Sequence, residues 1–225
     1  MCLIESYLCP VINSSVFMDN LSEADRPINQ LIPEFHQQYN LGENGGINEN
    51  KVKIEFAKYV YFFFPNWDER RRAVEKHDIH HIVTGYPSTV KGEAEISIWE
   101  VSSGCNNYWA AWFLDMQGMM LGLLYLGAIF RAFVRGKRSG NLYHDTLPVS
   151  EAMGMTPEQI RERLHIPHID EKLKPTVAEY FLFAWWMAWA GLVSLVSLIA
   201  VPIIALFNVY VFAGLIFANK KKTVA

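Results

Sequence analysis

From Tyr180 to Ala218 the chain runs 39 residues without a charged side chain. As one straight helix this stretch is about 58 Å long at ~1.5 Å per residue. A bilayer's hydrocarbon core is only ~30 Å thick. The run is therefore expected to bend, and Pro202, near its middle, lacks the donor a helix interior needs. Two arms are predicted, 180–199 and 203–219, forming a transmembrane or re-entrant helical hairpin. Both flanks are basic, with Lys172 and Lys174 before and Lys220, Lys221 and Lys222 after. The positive-inside rule then places both ends on the cytoplasmic side. Tyr180, Trp185, Trp186 and Trp189 fall near the entry, as an interfacial aromatic belt does. The expectation is a membrane anchor at 175–225, with the body of the chain, 1–174, on the cytoplasmic side; a bacterial inner membrane is the first choice.

The body has the length for one domain with a sizeable core. The formal net charge of −3 disfavours a nucleic-acid binder, which is ordinarily basic. Three cysteines (Cys2, Cys9, Cys105) with no C-x-x-C spacing argue against a disulfide framework and a thiolate zinc site. The first 20 residues have no basic leader and are interrupted by Glu5, so neither a secretory signal nor a transit peptide fits.

Helices are expected from Asp68 to Val83, closed by Gly85-Tyr86-Pro87, and from Ser88 to Ser102, closed by Gly104. Lys51–Phe64, mixing aromatics with lysines, is also read as helix. Gly42–Asn50 is a loop by composition. Thr156-Pro157-Glu158-Gln159 is a capping box opening a helix to Leu164. Met116–Phe130 is a short apolar run carrying Gly118, Gly122 and Gly127, suited to close helix packing or to a thin chain molecule. The predicted class is all-α.

Chemistry concentrates at Glu75–Glu100. Three of the seven histidines fall within five residues, His77, His80 and His81. His77 and His81 are four apart and share a helix face, which Asp78 borders. Glu93 opens the next helix, and an antiparallel hairpin brings it back over that face. Two imidazoles and two carboxylates converging there suit a divalent cation: zinc first, magnesium or iron as alternatives. His80 points aside, toward a supporting position behind the ligands or toward the surface. Two other templates fit less well. H-E-x-x-H, the zinc-peptidase helix, would need Glu where Asp78 stands. H-x-x-H-H, a histidine box of membrane di-iron enzymes, would need further boxes, whereas His36, His144, His165 and His168 are scattered.

The spacing H-D-x-x-H-x(11)-E, from His77 through Glu93, resembles the Coq4 family of ubiquinone biosynthesis proteins. Gly85, Gly92 and Glu100 fall where that family's surrounding pattern has them, and the likeness extends loosely over 25–168. The resemblance implies an all-helical protein that binds a metal through His77, Asp78, His81 and Glu93, residues that would also be its catalytic set. It further implies an isoprenoid lipid in an apolar tunnel, with Gly118, Gly122 and Gly127 as candidate wall. Arg135 and Arg138, with Lys137, are candidates for the lipid headgroup or the substrate's polar head. The implied activity is oxidative decarboxylation of a polyprenylated ring. Other quinone-biosynthesis proteins, or a second copy of the chain, are implied partners. A non-catalytic lipid-presenting scaffold and a membrane zinc peptidase are the competing readings.

Overall fold

A computed structural model describes residues 25–49, 51–57 and 60–222. The calls on Cys2, Cys9 and the leader lie outside them. The fold is helical: α1 (Ile28–Gln38), α2 (Asp68–Thr84), α3 (Val90–Ser103), α4 (Trp109–Leu121), α5 (Leu126–Gly136), the single turn α6 (Val149–Ala152), α7 (Pro157–Leu164) and α8 (Val177–Lys222).

The expected boundaries of α2 and α3 hold. Gly85 closes α2 at φ 77°, in the left-handed region that glycine enters without steric cost. The Thr89 hydroxyl caps α3 by accepting from the Gly92 N–H. The capping box of α7 forms in both directions, between Thr156 and Gln159.

Lys51–Phe64 is not helix. Lys51–Ala57 and Val60–Pro65 form an antiparallel β-hairpin. The reason is visible in retrospect. Lys51, Lys53 and Glu55 alternate with Val52, Ile54 and Phe56, a period of two, and the return strand is a β-favouring aromatic run. The Met116–Phe130 run is also not one helix: a 3-10 turn, Gly122–Tyr125, separates α4 from α5.

The core gathers α1, α2, α3 and α5 around Trp99, Phe35, Phe133 and Ile79, all fully buried. The first half of α8 belongs to this packing. Ala190 is buried in it, and Phe183, Trp186 and Met187 lie against it.

Among the described residues, two segments are long and apolar enough to cross a membrane, Trp109–Gly136 and Val177–Ala200. They are the apolar helical pair of the chain's C-terminal part, and their membership differs from expectation. The arms 180–199 and 203–219 form one helix with Pro202 inside it, not two helices joined by a turn. A turn at Ala200–Pro202 would strand several backbone polar groups with no polar side chain to meet them. Continuing the helix past the proline leaves fewer unmet groups, the cheaper solution where water is absent. Of the expected aromatic belt, Tyr180, Trp185 and Trp189 are exposed, Tyr180 with one ring face stacked on Phe130. Trp186 is half-buried and stacks on Trp112.

Candidate metal centre

The α2–α3 hairpin sets the site. The tight turn at Tyr86-Pro87 folds α3 back along α2. Gly92 makes that approach possible, since a Cβ there would lie 1.8 Å from the Pro87 carbonyl oxygen. Glu93 is thereby placed with one carboxylate oxygen 3.5 Å from His77 Nε2 and the other 3.5 Å from His81 Nε2. Ser88 donates its hydroxyl to the same carboxylate. The two Nε2 atoms are 3.1 Å apart.

Neighbouring groups fix which nitrogens carry protons. The His81 Nδ1 faces the Tyr86 carbonyl oxygen at 2.8 Å, and a carbonyl only accepts, so Nδ1 donates. His77 Nδ1 donates to Glu100 Oε2 at 3.0 Å. With both rings neutral, each Nε2 therefore turns a lone pair toward the same point, beside Glu93. Neutral imidazoles rarely face each other in this way without a cation or a proton between them. A tetrahedral zinc with Zn–N bonds of ~2.0–2.1 Å would set two nitrogens about 3.3 Å apart, close to what is seen. The donor set fits a divalent cation.

Glu100 is the deeper anchor. It is fully buried and accepts from His77 Nδ1, from His80 Nδ1 at 2.5 Å and from the Tyr143 hydroxyl at 3.3 Å. His80 can only donate from Nδ1, because its Nε2 accepts the Leu142 N–H at 3.0 Å. Burial alone would raise the Glu100 pKa. The facing imidazoles of His77 and His80 outweigh it and hold the carboxyl well below the usual carboxylate range. Burial pushes His80 down, toward the neutral ring, and Glu100 only partly offsets this. For His77 burial again opposes charge, but Glu100 and Glu93 overcome it and lift the imidazole well above its ordinary value. Glu93 is held well below the carboxylate range: burial pushes up, and His81 and His77 pull down further.

Among the described residues, two groups have ligand atoms close enough to share an ion: His77, His81 and Glu93, and also His77, Glu100 and Asp115. The second group is already engaged. Glu100 holds three donors, and Asp115 Oδ2 accepts from the buried Cys105 thiol at 3.4 Å. The first group remains, two imidazoles and a carboxylate with a side open to a cavity. That cavity, about 110 Å³, is lined by His77, His81, Glu93 and Asp115, with Leu114, Gly118 and Leu121 as an apolar wall on α4. A single water needs only ~10–15 Å³, so there is room for a small ligand.

Asp78, the expected fourth ligand, borders the cavity but turns away from the cation position. Its Oδ2 lies 2.8 Å from His36 Nε2, and it belongs to neither group. The glycine reading is corrected in part. Gly118 lines the cavity, yet a Cβ there would meet Ser97 Oγ at 2.1 Å; one on Gly122 would meet Ile129 Cγ2 at 2.6 Å. Both let helices approach. Gly127 meets only Arg131 Nη1, at 3.8 Å, and does not border the cavity.

The two arginines are corrected as well. Arg135 is buried, donating to the Thr84 carbonyl at 2.7 Å and the Pro167 carbonyl at 2.6 Å, with its guanidinium over the Tyr86 ring. Arg138 donates to the Val134 and Lys174 carbonyls and pairs with Glu179. Both hold the fold together, and neither lines the cavity. His80, expected behind the ligands or at the surface, lies behind them, fully buried and donating to the Glu100 that also holds His77.

The role of Glu100 carried a sequence signal: it lies seven residues beyond Glu93, two turns along one helix face. His36, Asp115 and Tyr143 come from distant segments, and no local pattern connects them to the histidines.

No family model, curated protein or solved structure matches this chain in searches of each kind.

Proposed function

We propose that this chain is a membrane-anchored, metal-dependent enzyme of isoprenoid-quinone synthesis, acting on a polyprenylated aromatic ring that bears a carboxyl group. One observation carries the reading. Two imidazole nitrogens with protons pinned on their far sides face each other beside Glu93, at the wall of a cavity whose other side is apolar. The resemblance of the His77–Glu93 spacing to the Coq4 pattern supports the substrate class. So does the setting: a substrate with a long hydrocarbon tail gains ~0.8 kcal/mol per CH₂ on leaving water, and its enzyme belongs at a bilayer.

His77, His81 and Glu93 are the residues that would hold the cation, zinc or another divalent ion. When bound, it supplies a Lewis acid that polarises a ring or carboxylate oxygen. Glu100 keeps the Nε2 of His77 aimed at the cavity, and the Tyr86 carbonyl does the same for His81. Leu114, Gly118 and Leu121 form an apolar wall suited to the ring and the first part of its tail. In the oxidative form of the reaction the ring carboxylic acid, water and dioxygen give the ring hydroxyl, carbon dioxide and hydrogen peroxide: the carbon–carboxyl bond breaks, water supplies the hydroxyl oxygen, and dioxygen takes up the two electrons released. We place the helical domain on the cytoplasmic face, because Arg131, Lys137, Arg138, Lys172 and Lys174 flank the apolar helices.

The test uses the full chain purified from membranes, with metal analysis, mass spectrometry of co-purified lipid, and turnover of a carboxylated polyprenyl phenol. Bound metal with carbon dioxide release, both lost in His81→Ala and Glu93→Ala, is the expected result. Lipid binding without turnover selects the scaffold reading. Chelator-sensitive peptide cleavage selects the peptidase.

A further inference from the structure

The elbow joining α4 to α5 is an apolar projection of the helical domain. From Met116 to Phe130 no side chain is charged. The 3-10 turn breaks the helix there and turns its side chains outward: Leu124 is 87% exposed, and Leu123 and Leu126 are each 51% exposed. Single exposed leucines are ordinary, but neighbouring ones at a protruding turn mark a surface that meets something apolar.

The packing of α8 says what that is. On the α4 side of the elbow, Trp112 stacks on Trp186 with ring centres 5.4 Å apart, and Gln117 Nε2 donates to Ser197 Oγ at 3.3 Å. On the α5 side, Phe130 stacks on Tyr180 at 4.6 Å and meets Phe183 edge-on at 5.2 Å. Both arms of the elbow therefore run along Val177–Ala200, the part of α8 long and apolar enough to cross a membrane. The outward face of that part exposes Leu192, Leu195, Val196 and Leu198. A turn clamped to a lipid-embedded helix from both sides lies at the depth of that helix. Arg131, exposed five residues beyond Leu126, is the first charge after the apolar stretch.

We propose that the Gly122–Leu126 elbow is immersed in the lipid bilayer beside α8, seating the helical domain in the membrane at a second place. The cavity wall formed by Leu114, Gly118 and Leu121 leads along α4 straight to this elbow. The ligand class of the cavity follows: an amphiphile that enters sideways from the lipid phase, head toward His77, His81 and Glu93, tail toward the elbow. This rests on the reading of α8 as a bilayer-embedded helix.

The experiment keeps the two apart. The full chain, with Cys2 and Cys9 replaced by serine and the buried Cys105 retained, is reconstituted in phosphatidylcholine–phosphatidylglycerol vesicles. It carries one environment-sensitive fluorophore, attached through Leu124→Cys, Leu198→Cys or, as an aqueous control, Glu162→Cys. Leu124 and Leu198 are exposed, so the labels do not disturb the core. The expected result is blue-shifted emission at 124 and 198, quenched several-fold more by spin-labelled lipid than by iodide, and the reverse at 162. If the 124 label is quenched by iodide while 198 reports lipid, the elbow proposal fails and the anchor stands. If 124 is shielded from both quenchers, a second copy or another protein covers it and the proposal also fails. If 198 behaves like 162, α8 is not in the bilayer, and the reading beneath the proposal falls with it.

Discussion

His77 and His81 point their Nε2 atoms at each other across 3.1 Å, and each donates its Nδ1–H to an acceptor on the far side of its ring. With both rings neutral that pairing is unfavourable, and a metal cation or a proton on His77 between them relieves it. It is the relationship from which the chemistry of the site is best probed.

The acceptor behind His77 is the first target. Glu100→Gln keeps the shape but turns an acceptor-only carboxylate into a group with an N–H₂ that faces donor N–H groups. Metal affinity is expected to fall about 10–100-fold, as for other groups that orient a metal-binding histidine. Folding stability is expected to fall by about 3–5 kcal/mol, the range for breaking a buried charged network. Competitive chelator titration and denaturant unfolding measure the two effects. Unchanged metal affinity in a folded Glu100→Gln protein would remove Glu100 from the site.

Asp78 separates ligand from staple. Because its carboxylate holds His36 and not the cation position, Asp78→Asn and His36→Ala should each cost about 1–3 kcal/mol through a stranded buried partner. The double variant should cost less than their sum. Metal content should stay near one ion per chain in all three. Loss of metal in a stable Asp78→Asn protein would restore the four-ligand arrangement that the sequence spacing suggested.

At His77, though not at Glu100, the pH response has opposite signs for folding and for metal. The Glu100 carboxyl is lowered in the fold, so its contribution is present above the unfolded value of ~4.3 and is lost as pH falls through its depressed pKa. The His77 imidazole is raised, so in metal-free protein its contribution is complete below ~6.5 and is lost as pH rises through its elevated pKa. A cation needs the Nε2 lone pair that the second proton on His77 would occupy. Metal binding should therefore weaken by up to about tenfold per pH unit below that elevated value. Thermal unfolding across pH, with and without chelator, should give curves that diverge toward alkaline pH. Parallel curves would mean that no proton is displaced from the site.

Two glycines provide a matched pair. Gly92→Ala drives a methyl into the Pro87 carbonyl and must shift the start of α3, moving Glu93 away from both histidines. Weaker metal binding together with lower stability is expected. Gly127→Ala meets nothing closer than 3.8 Å, in a helix where alanine is favoured by about 1 kcal/mol. It should be neutral or mildly stabilising, with metal affinity unchanged. Equal damage from both would show that the α2–α3 turn does not position the site.

The sequence disclosed what local rules determine. The capping box at Thr156, the stop at Gly85 and the shared face of His77 and His81 are set by neighbours within a few residues, and all form as read. Glu93 was legible because a tight turn between two helices has few geometries. The hairpin at 51–65 was misread because its aromatic return strand masked the alternation in Lys51–Phe56. The assignment of Asp78 failed for a different reason. Its competitor, His36, is 42 residues away, and only tertiary packing decides which group a carboxylate faces. Arg135 likewise offered a plausible charge for a headgroup, and nothing local reveals that two buried carbonyls already hold it. Pro202 signalled a break, but the apolar surroundings made a broken helix costlier than a strained one.

Arg135 joins the carbonyl of Thr84, the last residue of the helix bearing both imidazoles, to the carbonyl of Pro167, ahead of the segment that enters α8. One guanidinium thus pins the helix of the two imidazoles to the lead-in of the apolar helix α8. With α8 in the bilayer, as proposed, the anchor would be a mount as much as a tether, fixing the angle at which the proposed metal pocket is presented to the bilayer plane.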